Sequence, residues 1–205
     1  MKSKESNKIL STVTEERLEK LTRAVEKRTL DLTLVAENIN DPHNFSAVLR
    51  SCDAVGILNV HRVYHSGQPL PRLGKTSSAS ARKWVNIKSH DSIETCFAQL
   101  RQEKKKIYTT HMSKESVSLY DLDLTGPIAF VFGNEHSGVS ETAHRLADRN
   151  FIIPQVGMVQ SLNISVACAI SLYEAYRQRK NAGLYDTPTL ADDTFQEVLQ
   201  EWVQK

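Results

Sequence analysis

Three short segments of this 205-residue chain carry more polar side chains than their local structure needs. The first is Asn38-Ile-Asn-Asp-Pro-His-Asn-Phe-Ser-Ala-Val-Leu-Arg50. An amide, Asn44, stands where a helix would begin, and a guanidinium, Arg50, follows nearly two turns later. The two converge if Asn44 stays at the loop end and Arg50 leans back, as helical side chains tilt toward the N-terminus. The planar fork of an arginine suits a phosphate. Taken alone, the same residues also read as a helix cap and a surface cation. The second segment is Phe132-Gly-Asn-Glu-His-Ser-Gly138, in which two glycines bracket polar residues and permit close backbone approach to a ligand. The third runs from Ile152 to Ser165. Its Pro154, Gly157 and Met158 make an apolar, backbone-exposing loop, and Ser161, Asn163 and Ser165 open a helix. Three hydroxyl or amide groups exceed what one N-cap requires.

Other chemistries fail on spacing. Gly74-Lys75-Thr76 looks like the end of a phosphate-binding P-loop, but the glycine needed five residues earlier is Pro69. No G-x-G-x-x-G follows the first strand. Glu135-His136-Ser137 holds the residue types of a hydrolase triad, but they are consecutive and lack a nucleophile elbow.

The elements that must position these segments alternate. Leu32–Ala36, Val60–Tyr64, Val85–Lys88, Ile107–Thr110, Ile128–Phe132 and Phe151–Ile153 read as strands. Helices are expected near 14–28 behind a Thr12-x-x-Glu15 capping box and over Phe45–Val55, closed by Gly56. Others follow Asp91-x-x-Glu94 and span Ser140–Ala147, Asn163–Lys180 and roughly 190–204. This order predicts an α/β fold, a mostly parallel sheet with helices on both faces. All three segments then follow strands, where open α/β sheets bind ligands. The Asn163–Lys180 helix is apolar over more than one stripe at Ile164, Val166, Ala167, Ala169 and Ile170. It needs cover beyond the sheet, which predicts a two-fold interface unless Leu18, Leu21 and Val25 of the first helix provide it.

Hydrophobic residues make up 40% and charged residues 24%, a composition that excludes wholesale disorder. No run approaches the ~18 apolar residues of a membrane span. The polar start shows no secretory signal. Cys52, Cys96 and Cys168 form no CxxC pair, so neither a disulfide framework nor a metal site is expected. Reduced thiols fit a cytoplasmic protein. Net charge is +2, but Val60–Lys106 holds ten Lys/Arg against three Asp/Glu. Such a stretch attracts a polyanion. Its long Ser66–Ser80 loop carries Arg72 and Lys75, with Arg82 and Lys83 just beyond, all candidate phosphate contacts.

Together, NDPHNFSAVLRSCDAVG, IAFVFGNEHSGVS and FIIPQVGMVQSLNISVACAI resemble, in order, the three motifs of the SPOUT superfamily's SpoU (TrmH) family of RNA 2′-O-ribose methyltransferases. Asn134 stands where relatives often carry Gln. The resemblance spans roughly Leu32–Tyr185 and looks strongest to the branch acting on the D-loop guanosine at tRNA position 18. It implies a helical extension over 1–30, a methyltransferase domain over 31–183 and a helical tail over 184–205. It also implies a deep C-terminal trefoil knot, S-adenosylmethionine as cofactor, tRNA as partner and a homodimer. The matching cofactor positions are Thr110, Gly133, Ile153, Met158 and Leu162. The catalytic positions are Asn44, Arg50, Glu135, Ser161 and Asn163, and His43, Arg177 and Arg179 match RNA-binding positions.

Within that reading, Arg50 is expected to clamp phosphate rather than act as base, because a guanidinium is a permanent cation. Asn44 would hold it, Glu135 would accept the proton, and Ser161 and Asn163 would shape the pocket floor. Ribosomal RNA, another tRNA position, or a non-catalytic RNA-binding module of the same fold remain as alternatives at this stage.

Overall fold

The computed structural model describes residues 13–64, 81–113, 115–134, 137–159 and 161–205. The Ser66–Ser80 loop with Arg72 and Lys75 therefore lies outside the described residues, as does Glu135. Apolar runs pair as parallel strands: β1 (Leu32–Glu37), β2 (Asn59–Val63), β3 (Asn86–His90), β4 (Lys106–Thr110), β5 (Val117–Ser118), β6 (Ile128–Phe132) and β7 (Arg149–Ile152). Their order is β3-β2-β1-β6-β4-β7-β5, every pair parallel. Central β1 and β6 are buried along their whole length, which is why they are mostly apolar, with Thr33 and Glu37 the polar residues of β1. Edge strand β3 (Asn-Ile-Lys-Ser-His) is half exposed and correspondingly polar.

Helices cover both faces. On one, α2 (Pro42–Ala54) and α5 (Ile164–Asn181) lay Phe45, Val48, Leu49, Ile164, Cys168 and Leu172 over Leu32, Leu34, Phe130 and Phe132. On the other, α3 (Ile93–Gln102) and α4 (Glu141–Leu146) bury Cys96, Phe97, Leu100 and Ala143 against Val35, Val63, Ala129 and Val131. The first helix, α1 (Glu15–Glu26), packs on α6 (Asp192–Val203) through Leu21, Val25, Val198 and Trp202. It leaves the outer side of α5 uncovered, and Val166 and Tyr173 are exposed there. Among the described residues, no helix is long and apolar enough to cross a membrane.

The helix starts differ from expectation by small local competitions. Asp41, not Asn44, caps α2, accepting from His43 N at 2.8 Å, with Pro42 in the first turn. Ser92, not Asp91, caps α3 by accepting from Thr95 N at 3.2 Å. Thr14 caps α1, accepting from Arg17 N at 3.3 Å; Thr12 lies outside the described residues. Past α2, Gly56 turns the chain at φ 83°, where a Cβ would sit 2.2 Å from the Lys27 carbonyl oxygen. No side chain fits that approach.

Candidate active site

The loops after β1, β4, β6 and β7 meet at the carboxyl ends of the strands, because the sheet order places those four strands side by side. Asn38 leaves β1 in a left-handed conformation, φ 53°, and turns the chain toward α2. Asn134 Nδ2 donates to the Asn38 carbonyl at 2.9 Å, fastening the loop after β6 to the loop after β1. Asn134 and Gly138 also exchange backbone hydrogen bonds of 2.9 and 2.8 Å. A Cβ on Gly133 would fall 2.0 Å from the Gly138 carbonyl. That glycine therefore serves the closure of its own loop, rather than only the approach of a ligand.

Asn44 and Asn163, 119 residues apart in sequence, are in contact: Asn163 Nδ2 donates to Asn44 Oδ1 at 3.2 Å. Asn163 also caps α5, its Oδ1 accepting from Ser165 N at 2.8 Å and Ser165 Oγ at 2.6 Å. One amide thus closes the helix and ties it to α2. Asn163→Ala is expected to cost about 1–2 kcal/mol, a fall of roughly 2–8 °C in Tm. Asn163→Asp keeps the acceptor and is expected to regain most of it. Thermal unfolding of both variants measures this, and an unchanged Tm in the alanine variant would exclude the clasp.

Between the loops lies a cavity of about 470 Å³, within the ~300–1,000 Å³ range of small-molecule sites. Four of the five expected cofactor positions line it: Thr110, Gly133, Ile153 and Leu162, together with Ser161. Phe132, Phe151, Ile152 and Ile164 add apolar wall. Met158 does not line it. Its side chain is 99% exposed on the loop after β7. Sequence reasoning missed His111 and Gln155, which also line the cavity. The available signal was position, since His111 directly follows β4. Its ring stacks on His144 with centroids 3.9 Å apart. Burial, then the neighbouring His144, holds the His111 pKa below the usual histidine value, against an opposing effect of Glu141.

Arg50 is exposed on α2, and among the described residues its guanidinium has no hydrogen bond or ion pair. The expected Asn44–Arg50 contact is replaced by Asn44–Asn163. His43, Arg82, Lys83 and Arg177 are exposed as an RNA-facing role requires, and Arg177 pairs with Glu174 at 2.7 Å. Arg179 corrects the sequence reading. Only 3% exposed, it donates through Nη1 to the carbonyls of Leu124, Thr125 and Gly126 at 3.2, 3.3 and 2.8 Å. Those carbonyls occupy the face of the fork that an RNA phosphate would need.

Residues 31–173 match the SpoU rRNA Methylase family, and residues 177–204 match the C-terminal family of SpoU rRNA methylases. The tRNA (guanosine(18)-2′-O)-methyltransferase of Thermus thermophilus is 43% identical over 192 residues, covering 94% of this chain and 98% of the relative. The crystal structure of the A. aeolicus TrmH/SpoU tRNA modifying enzyme superposes with a TM-score of 0.86 at 39% identity, covering 93% of this chain and 96% of that one. The SpoU methyltransferase AviRb from Streptomyces viridochromogenes, solved in complex with the cofactor AdoMet, shares the fold at a TM-score of 0.66 and 24% identity, covering 73% of this chain and 60% of that one.

Proposed function

Because this chain belongs to the SpoU rRNA methylase family, we propose that it methylates the ribose 2′-hydroxyl of the D-loop guanosine at position 18 of tRNA, using S-adenosylmethionine. The observation that carries this reading is the cavity built by the loops after β4, β6 and β7.

The cavity fits the cofactor chemically. Its apolar wall suits an adenine, and the residues after β4 and β6 leave backbone groups within reach of polar substituents. Thr110, Gly133, Ile153 and Leu162 would hold the group. When bound, it would supply a methyl on a sulfonium, an electrophilic carbon that an alcohol oxygen can attack while the sulfur leaves as a neutral thioether. The chain's own residues handle the alcohol. Arg50 takes the phosphate beside the target ribose through its fork and fixes the oxygen's position. Glu135 accepts the 2′-hydroxyl proton, and Ser161 and Asn163 form the adjoining floor. His43, Arg82, Lys83 and Arg177 carry RNA phosphate, joined by Arg72 and Lys75 of the neighbouring loop.

Glu135→Gln keeps the shape and removes the accepting charge. It is expected to lower the single-turnover rate at saturating tRNA by about 10²–10⁴-fold; an unchanged rate would exclude Glu135 as base.

The same reading makes the protein a cytoplasmic homodimer with the family's trefoil knot. The dimer is supported by the apolar groups that one chain leaves in solvent, Val156, Met158 and Val159 after β7 and Val166 and Tyr173 along α5. Sedimentation at low micromolar concentration is expected to give twice the chain mass. A methylating species of 23.1 kDa would refute the dimer.

The function itself is tested by incubating the protein with unmodified tRNA and ribosomal RNA together and labelled S-adenosylmethionine, then mapping the product by nuclease digestion and mass spectrometry. Label on the ribose of guanosine 18 is expected. Label at another tRNA position, label confined to ribosomal RNA, or none at all would overturn the assignment.

A further inference from the structure

The spacing of the three cysteines predicts no metal site, yet the sheet carries one of them to two histidines. His61 lies on β2 and His90 ends β3. In the parallel register His61 pairs with Lys88 and Val63 with His90, so both histidines stand on the same sheet face. Helix α3 covers that face and buries Cys96 against it. One ligand-type atom from each of the three residues lies within 4.8 Å of the other two. His61 Nδ1 and His90 Nε2 are 2.8 Å apart, with the rings stacked at 5.1 Å between centroids.

The cluster bears the marks of a place built for a cation. His61 is fully buried and its Nδ1 faces the His90 Nε2. Only one of two such facing nitrogens can carry the proton between them, so the other already presents a lone pair. A divalent ion bound there would stabilise the Cys96 thiolate. Around the cluster stand Glu103, held by Lys105 and Gln99, and Lys88, whose ammonium also pairs with Glu103. None of the three ligands lines the cavity described above.

We propose that His61, His90 and Cys96 form a zinc-type metal site of two imidazoles and one thiolate, with water in the fourth position. Three protein ligands of this kind suit Zn²⁺. Two nitrogens at ~2.0–2.1 Å from a tetrahedral ion stand roughly 3.3 Å apart, so the rings must open by about half an ångström from their present hydrogen bond. His90 is only partly buried, which gives the ion an entrance and the ring room to move. On binding, the Cys96 thiol releases its proton to solvent as the metal–sulfur bond forms, and no electron changes hands. The ion would join β2, edge strand β3 and α3 into one unit, independently of the proposed methyl transfer.

The test uses the full chain, stripped of metal by dialysis against EDTA and titrated with Co²⁺. Expected is a near-ultraviolet thiolate-to-cobalt charge-transfer band that saturates at one ion per chain and is displaced by Zn²⁺. Cys96→Ser is expected to abolish the band, whereas Cys52→Ser and Cys168→Ser retain it. Those thiols are buried on the opposite face, with α2 and α5. His90→Gln is expected to weaken Co²⁺ by at least about 10-fold. Zn²⁺ should raise the Tm of the native chain but not of Cys96→Ser. Absence of the band in the native chain overturns the proposal whatever the variants do, as does its survival in a folded Cys96→Ser protein.

Discussion

Arg50→Ala is expected to lower single-turnover methyl transfer by about 10²–10³-fold, the loss typical of removing one preorganised charge-stabilising donor. Arg50 is exposed on α2 and bonded to nothing among the described residues. Its removal therefore leaves no buried partner unsatisfied, and the fold should be untouched. It also does not line the cavity, so S-adenosylmethionine affinity by calorimetry should match that of the native chain. Arg50→Lys separates geometry from charge. An ammonium keeps the positive charge but cannot reproduce two parallel hydrogen bonds to a phosphate. The lysine variant should therefore fall close to the alanine one. If it keeps most of the activity, a diffuse cationic field and not a planar clamp positions the ribose. A lowered Tm or weakened cofactor binding in Arg50→Ala would place the residue in the scaffold instead.

Arg179→Ala should do the reverse, unfolding the protein more readily while leaving the salt dependence of tRNA binding in the folded protein unchanged. The guanidinium satisfies three carbonyls in the turn that feeds β6, and that turn helps seat the C-terminal end of α5. Burial lowers its proton affinity, while Tyr185 and Asp31 oppose the shift. Removing it strands those carbonyls and opens a void. Loss of one member of a buried charged network costs about 3–5 kcal/mol, which for a chain of this size is roughly 6–20 °C in Tm. Arg177, one turn-face away, is the control. It is exposed, and its alanine variant should flatten the log–log salt slope by about 0.7–0.9, with a smaller loss in Tm than Arg179→Ala because Gln178 still donates to the buried Glu174 that Arg177 leaves behind. A native-like Tm for Arg179→Ala together with a flattened salt slope would return Arg179 to the RNA surface.

The alternation of strand and helix was legible because each element is decided by its own hydrophobic period and burial. Ile128–Phe132 is apolar throughout, and Leu32–Ala36 apolar except for Thr33, because both of their faces are covered. The three site segments were legible for a related reason. Each is a continuous stretch whose polar surplus or paired glycines stand out against an apolar strand. The motif order then pointed to the family. Cap positions slipped by one to three residues, as at Asp41 and Ser92, because neighbouring polar side chains compete for the same amides.

What the sequence could not determine is which distant segments become neighbours. The register and order β3-β2-β1-β6-β4-β7-β5 decide that, and they are properties of the whole sheet. Only that order sets Asn163 against Asn44 and turns Arg179 inward onto carbonyls some fifty residues earlier in the chain. It also places His111 in the cavity wall and gathers His61, His90 and Cys96 beneath α3. An arginine near a helix end reads as a surface cation unless a particular turn of carbonyls arrives to desolvate it. Local patterning is short-ranged; desolvation and side-chain pairing are set by whatever tertiary packing brings within a few ångströms.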